Sequence, residues 1–176
     1  MASDASAIGW GGLRLDGHSA AAAHGFFLPE EHEQSSTHRE ARAALLLLQS
    51  FRHVCRNRKV LLQVDNMNLY RCVHRGSRRP ALCDILKDIF WLCMSLNMLL
   101  QLVWVPRREN TDADELSKFE DRDDWCLNPR WFRECERRWG THTVDRFASD
   151  LNAQCPRFFA RFHCPGCEGV DAFGYH

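Results

Sequence analysis

A net charge is missing from this sequence: 23 Lys+Arg residues balance 23 Asp+Glu residues, so the total favours no partner of either sign. Long apolar runs are missing too. Leu45 to Leu48 and Met98 to Leu100 fall well short of the roughly 20 residues that span a bilayer, and no membrane segment is expected. The first residues lack the basic and apolar regions of a secretory signal. The nine cysteines are an odd number without framework spacing, which argues against a disulfide scaffold. An intracellular location, cytoplasmic or nuclear, with reduced thiols is expected. There is no internal repeat and no low-complexity tract. What remains is ordinary for a soluble globular protein, 45% hydrophobic and 26% charged, in a chain of 176 residues that can bury a core and carry an appendage.

Charge is unevenly spread along this neutral chain. Arg52 to Arg79 holds eight Arg/Lys residues and one acid, Asp65, whereas Glu109 to Asp124 holds eight acids. A basic face beside an acidic cluster suits a protein that holds phosphates and metal together; two solvated faces of opposite sign would look the same.

Residues 1–4 read as the tail of a strand, and Ile8 to Asp16 as a turn running into a second. Gly17 to Ala23 reads as a small-residue hairpin region, and His24 to Pro29 as a third strand ended by proline. Glu30 to Ser36 is polar loop. Thr37 then opens a helix in which Ala41, Ala44, Leu45, Leu48 and Phe51 recur at helical spacing. Lys59 to Asp65 is a nearly continuous apolar run, as in a buried central strand. Asn66 to His74 predicts a short helix broken at Gly76, and Pro80 a helix start. Leu82, Ile85, Leu86, Ile89, Phe90, Cys93 and Leu96 mark one face of that long helix. Leu99 to Val105 is the last strand, stopped by Pro106, and Ala113 to Phe119 a short helix. The order β-β-β-α-β-α-α-β-α predicts an α/β fold with a mixed five-stranded sheet, its first three strands antiparallel, flanked by helices. After Glu120 the texture becomes aromatic, then rich in Cys, Gly and Pro. Residues 1–120 are expected to form the domain and 121–176 a partly irregular C-terminal extension.

Four acids lie on separate elements of this domain: Asp4 near the N-terminus, Glu40 on a helix start, Asp65 at a strand end, and Asp112 or Asp114 before a short helix. Convergent carboxylates make a hard-oxygen site for a divalent cation. Each has a simpler role as well. Asp65-Asn66 would suit a turn, and Thr37-x-x-Glu40 fits a capping box. Asp112 and Asp114 suit a helix N-terminus, and Asp4 suits a loose terminus.

The motifs carry a resemblance. Asp4-Ala5-Ser6 followed by Gly9-Trp10-Gly11-Gly12 resembles the first motif of retroelement RNase H domains. Ser35 to Glu40 resembles the second, Val64-Asp65-Asn66 the third, and Trp104 to Lys118 the fourth, with its core Asn110-x-x-Ala113-Asp114-x-Leu116-Ser117. The tail matches through Trp125-x-Leu127-x-Pro129, Trp139-Gly140, Val144 to Ser149, Asn152-x-Gln154 and Val170 to Phe173. The chain is thus similar to the RNase H domain of the reverse transcriptase of tyrosine-recombinase retrotransposons, the DIRS-like group. The resemblance implies an RNase H-like fold and a two-metal endonuclease that cuts the RNA strand of an RNA–DNA hybrid. It implies two Mg²⁺ ions, with Mn²⁺ as substitute, and Asp4, Glu40, Asp65 and Asp114 as metal ligands and catalytic residues, choosing Asp114 over Asp112. Asn66, Arg71, Arg75, Arg78 and Arg79 become candidates to hold nucleic acid, and a polymerase domain is expected upstream in the same polyprotein. The sequence departs from the pattern at its start, where only three residues precede Asp4, so a truncated first strand and a fragment or remnant are expected. It departs again at Trp104, where many retroelement versions have His before the Pro.

Two other readings stand beside this one. RNase H folds also serve as catalytically silent binding or connection domains. The tail's Cys164-Pro165-Gly166-Cys167, with His163, Cys155 and His176 near, has the ligand spacing of a zinc module. Oligomeric state is left open.

Overall fold

The computed structural model describes residues 1–16, 19–120 and 125–173. Five strands form one sheet: β1 (Ala2–Ala5), β2 (Gly9–Asp16), β3 (Ser19–Phe26), β4 (Lys59–Val64) and β5 (Leu99–Trp104). Their order is β3-β2-β1-β4-β5. β1, β2 and β3 are antiparallel neighbours, whereas β4 runs parallel to both β1 and β5. This is the mixed sheet that the sequence predicts.

Helix α1 (Ser36–Ser50) presents its apolar stripe, including Ala41, Ala44, Leu45 and Leu48, to the sheet and to α4 (Pro80–Leu96). Between them lie α2 (Arg52–Cys55) and α3 (Met67–Arg75). On the opposite face α5 (Thr111–Ser117) packs on β1, β2 and β3. Two glycines set how close these layers come. A Cβ on Gly11 would lie 2.4 Å from the backbone nitrogen of Ser117, and one on Gly12 would lie 2.8 Å from the methyls of Leu47. Trp10, just before them, is fully buried. The glycines of Gly9-Trp10-Gly11-Gly12 therefore let helices approach the sheet from both sides.

Several sequence expectations are corrected here. β3 starts at Ser19, not His24, because Ala20 to Ala23 pair along β2 up to Asp16↔Ser19; Gly17 and His18, at the expected hairpin, lie outside the described residues. Pro29 opens a short 3₁₀ turn rather than ending β3. Thr37-x-x-Glu40 is not a capping box: Ser35 caps α1 by accepting the His38 N–H, which places Thr37 and Glu40 inside the helix. β4 is not buried on both faces. Val60, Leu62 and Val64 are buried while Lys59, Leu61 and Gln63 are exposed, because α5 lies over the other half of the sheet. Phe90 is 55% exposed, turned one helical step away from the buried stripe of Leu82, Ile85, Ile89 and Leu96.

The described tail holds α6 (Pro129–Trp139) and two short parallel strands, β6 (Val144–Asp145) and β7 (Arg157–Phe158). It also extends the sheet edge. His163 bridges Ala23 of β3, donating its N–H to Ala22 O and accepting from the His24 N–H, each at 3.1 Å. Ala160 and Cys164 join the same hydrophobic core as Trp10 and Ala23. Among the described residues no helix is long and apolar enough to cross a membrane.

Candidate metal centre

Asp4 sits on the central strand, opposite Gly11, on the face that α5 covers. It is only 3% exposed. Ser117 Oγ donates to Asp4 Oδ2 at 2.8 Å, and Asn110 Nδ2 donates to the Ser3 carbonyl at 3.0 Å. Both donors are buried, Asn110 standing at the N-cap of α5 and Ser117 ending it, while Ala113 between them is buried too. The Asn110, Ala113 and Ser117 of the fourth motif thus have a physical role: they seat α5 on β1 and hold the Asp4 carboxylate. Sequence reasoning missed Ser117 and Asn110 as site residues; their spacing around Asp114 was the available signal.

Asp65 follows the last residue of β4 and is half-buried. Asn66 then caps α3, its side chain accepting the N–H groups of Asn68 and Leu69 at 3.0 Å. Trp104, the departure from the motif pattern, donates its indole N–H to the Asp65 carbonyl at 2.9 Å. It fixes the end of β4 against β5. Glu40 projects from α1 and is buried.

These elements bring Asp4, Glu40 and Asp65 together, with one carboxylate oxygen from each lying within 4.8 Å of the others. Among the described residues no other group of three His, Cys, Asp or Glu side chains meets this test. Burial, then repulsion from Asp4 and Asp65, pushes the Glu40 carboxyl up to about 9. Burial raises Asp4 as well; the Ser117 hydrogen bond opposes it and the charges of Asp65 and Asp114 add to it. Asp65 is raised by burial, against the pull of Arg107. One buried oxygen of Glu40, Oε2, has no hydrogen-bond partner. An unpartnered buried oxygen beside two further carboxylates is a donor set that suits a hard divalent cation, which would relieve both the repulsion and the missing partner.

Asp114 lies outside this trio. It is held by Arg107 and by Lys118. Burial works against its ionisation, but the two cationic hydrogen bonds outweigh it and keep the carboxyl below the usual range. Its charge is still felt at Asp4 and Asp65, and Arg107 is felt by all four carboxylates. Arg107 is a third residue that sequence reasoning passed over.

Arg71 and Arg75 lie on α3, and Arg78 and Arg79 in the loop before α4; all four are exposed, and none has an ion-pair partner among the described residues. Part of the acidic run, Asp121, Asp123 and Asp124, lies outside the described residues, as does His176. A cavity of about 540 Å³ lies away from the carboxylates. It lies between β3 and the tail and is lined by Phe119, Phe147, Arg161 and Phe162 among others.

No protein-family model matches the chain, and neither does any curated protein. Solved structures do. RNase H1 from the halophilic archaeon Halobacterium salinarum NRC-1 matches with a TM-score of 0.52 and 16% identity, over 65% of this chain and 90% of that one. LC11-RNase H1, isolated from compost by a metagenomic approach, matches with a TM-score of 0.50 and 23% identity, over 65% of this chain and 89% of that one. A structure of LC11-RNase H1 in complex with an RNA/DNA hybrid matches with a TM-score of 0.50 and 22% identity, over 65% and 90%. At these identities the likeness establishes the architecture: the chain has an RNase H-like fold.

Proposed function

We propose that this protein is a metal-dependent ribonuclease H that cuts the RNA strand of RNA–DNA hybrids. The observation that carries the proposal is the Asp4–Glu40–Asp65 cluster at the sheet, in an RNase H-like fold. That a similarly folded neighbour is a complex with an RNA/DNA hybrid supports the choice of substrate.

Asp4, Glu40 and Asp65 would hold the metal, with Asp114 as a fourth acid once Arg107 and Lys118 release it. A pair of Mg²⁺ or Mn²⁺ ions held there would supply charge neutralisation at the scissile phosphate and make a water acidic enough to give up its proton at neutral pH. The chain's own residues prepare this. Ser117 fixes the Asp4 carboxylate in one orientation, and Trp104 fixes the backbone that carries Asp65. Arg107, exposed and paired with Asp114, would meet a phosphate. Arg71, Arg75, Arg78 and Arg79 would track the hybrid's backbone, which is recognised by its shape and 2′-hydroxyls. Asn66, whose side-chain oxygen is occupied as a helix cap, would contribute through its amide. The motif order and the tail support placement in a DIRS-like retroelement, beside a reverse-transcriptase domain, with residues 1–120 as the nuclease domain and 121–176 as its extension.

One observation favours a second reading, a catalytically silent connection or binding domain: two cations already neutralise Asp114. A cleavage assay on a labelled hybrid decides. Mg²⁺- or Mn²⁺-dependent cutting of the RNA strand, lost in a folded Asp65→Asn variant, is expected. Folded protein that binds hybrid but leaves it intact at every Mn²⁺ concentration would establish the silent domain instead.

A further inference from the structure

The metal centre makes no use of Cys164-Pro165-Gly166-Cys167. These residues form a tight turn. The Cys167 N–H donates to the Cys164 carbonyl at 3.3 Å, and Gly166 takes φ +91°. A positive-φ residue at the third position is what a type II turn requires, and proline is common at the second. Such a turn holds its end Cα atoms within about 7 Å, close to the roughly 4.4–6.8 Å that a disulfide needs.

The Cys167 sulfur folds back over the turn toward Cys164. Cys167 Sγ accepts the Cys164 N–H at 3.3 Å, and the two thiols share a hydrogen bond. The turn is also anchored, since His163, the residue before it, is bonded on both sides to β3. Exposure differs between the two: Cys164 is buried in the core, while Cys167 is only half-buried. The hydrogen bond from Cys164 and the neighbouring His163 favour a thiolate at Cys167, whereas the same bond and burial keep Cys164 protonated.

We propose that Cys164 and Cys167 form a redox-active dithiol, with Cys167 as the attacking thiol and Cys164 as the resolving one. The oxidant is a small disulfide of the glutathione class. The Cys167 thiolate attacks one of its sulfurs, the S–S bond breaks, and one thiolate leaves and takes up a proton. Cys164 then gives up its proton, and its sulfur attacks Cys167 Sγ and expels the second small thiolate. Two protein thiols and one small disulfide become one protein disulfide and two small thiols. The assembly of three ligands that a zinc site would need is not found at this turn among the described residues.

The loop that closes is short, so oxidation should shift thermal stability little; the signature is chemical. The full chain would be equilibrated in graded glutathione redox buffers, quenched with acid, alkylated and mapped by peptide mass. In the wild type, the peptide holding both cysteines should lose two hydrogens at one redox midpoint. In Cys164→Ser a glutathione adduct should build up on Cys167, and in Cys167→Ser the residue at 164 should stay unreacted. At mildly acidic pH, Cys167 should be alkylated more than about tenfold faster than Cys93, which burial keeps protonated. A wild type that carries only the adduct, or shows no internal bond at any buffer ratio, would overturn the proposal. So would zinc that shields both thiols until a chelator removes it. The wild-type map stands even if a variant fails to fold.

Discussion

The carboxylates at the centre of this protein differ more than their shared chemistry implies. Asp114 is exposed enough to pair with Arg107 and Lys118, whereas Glu40 is buried and raised to about 9. A raised acid binds a proton more tightly in the folded state than in the unfolded chain. Its contribution to stability is full below about 4.5 and is lost as pH rises through about 9. Glu40→Gln removes this dependence. In chelator its melting midpoint should exceed that of the wild type by a few degrees near pH ~8, with the gap closing toward pH ~5; about 1 kcal/mol shifts a chain of this size by roughly 2–4 °C. Metal needs the carboxylate, so Mn²⁺ binding should release protons near neutral pH, measurable by calorimetry in buffers of different ionisation enthalpy. Asp112 and Asp114 make a second comparison. Asp112 accepts from Thr111, its one side-chain hydrogen-bond partner among the described residues, while Asp114 is felt at Asp4 and Asp65. Asp114→Asn should lower hybrid cleavage by more than about tenfold relative to Asp112→Asn, roughly 1.4 kcal/mol of barrier. Equal losses would remove Asp114 from the site.

At the scale of elements, α5 connects fold and chemistry. It is short, and its seat on the sheet rests on the missing side chain at Gly11 and on the hydrogen bonds of Asn110 and Ser117. Gly11→Ala would press a methyl into the Ser117 backbone at 2.4 Å, so α5 must shift. The expected cost is roughly 1–3 kcal/mol of stability. Because α5 carries both Asp114 and Ser117, cleavage should fall further than stability accounts for, which melting and activity measured on one preparation would show. Helix α3 offers the other element-scale test. Its exposed Arg75, with Arg78 in the following loop, is free of ion pairs among the described residues. Arg75→Ala with Arg78→Ala should weaken hybrid binding and flatten the salt dependence by about one unit of slope per lost contact. Single-turnover cleavage at saturation should hardly change. An unchanged slope would place these arginines away from the hybrid.

For the whole molecule, the sheet divides into two regimes. On the β1–β3 half both faces are covered, by α1 on one side and α5 on the other. On the β4–β5 half one face is open, with Leu61 49% and Leu99 65% exposed. The carboxylates collect where the two halves meet, at β1 and the end of β4, where the parallel β1–β4 pairing begins. The tail is part of this architecture: His163 extends the β3 edge, and Ala160 and Cys164 lie in the common core.

The sequence by itself determined the order of the elements and the mixed sheet, because hydrophobic period and glycine and proline positions act locally. It also marked Asp4, Glu40 and Asp65, since strand ends and helix starts are readable where periodic runs stop. Tertiary structure decided the rest. Lys59 to Asp65 read as a buried central strand, but whether a helix covers the second face is a matter of packing between distant segments. Phe90 read as core, but which edge of an apolar stripe turns inward depends on what lies opposite. Glu40 also read as part of a capping box with Thr37, and Ser35 standing as the cap instead left its carboxylate for the site. Ser117 and Asp4 are 113 positions apart, and no local pattern specifies their hydrogen bond. The proximity of three acids, and the proton that this proximity and burial hold on Glu40, exists only once the chain has folded.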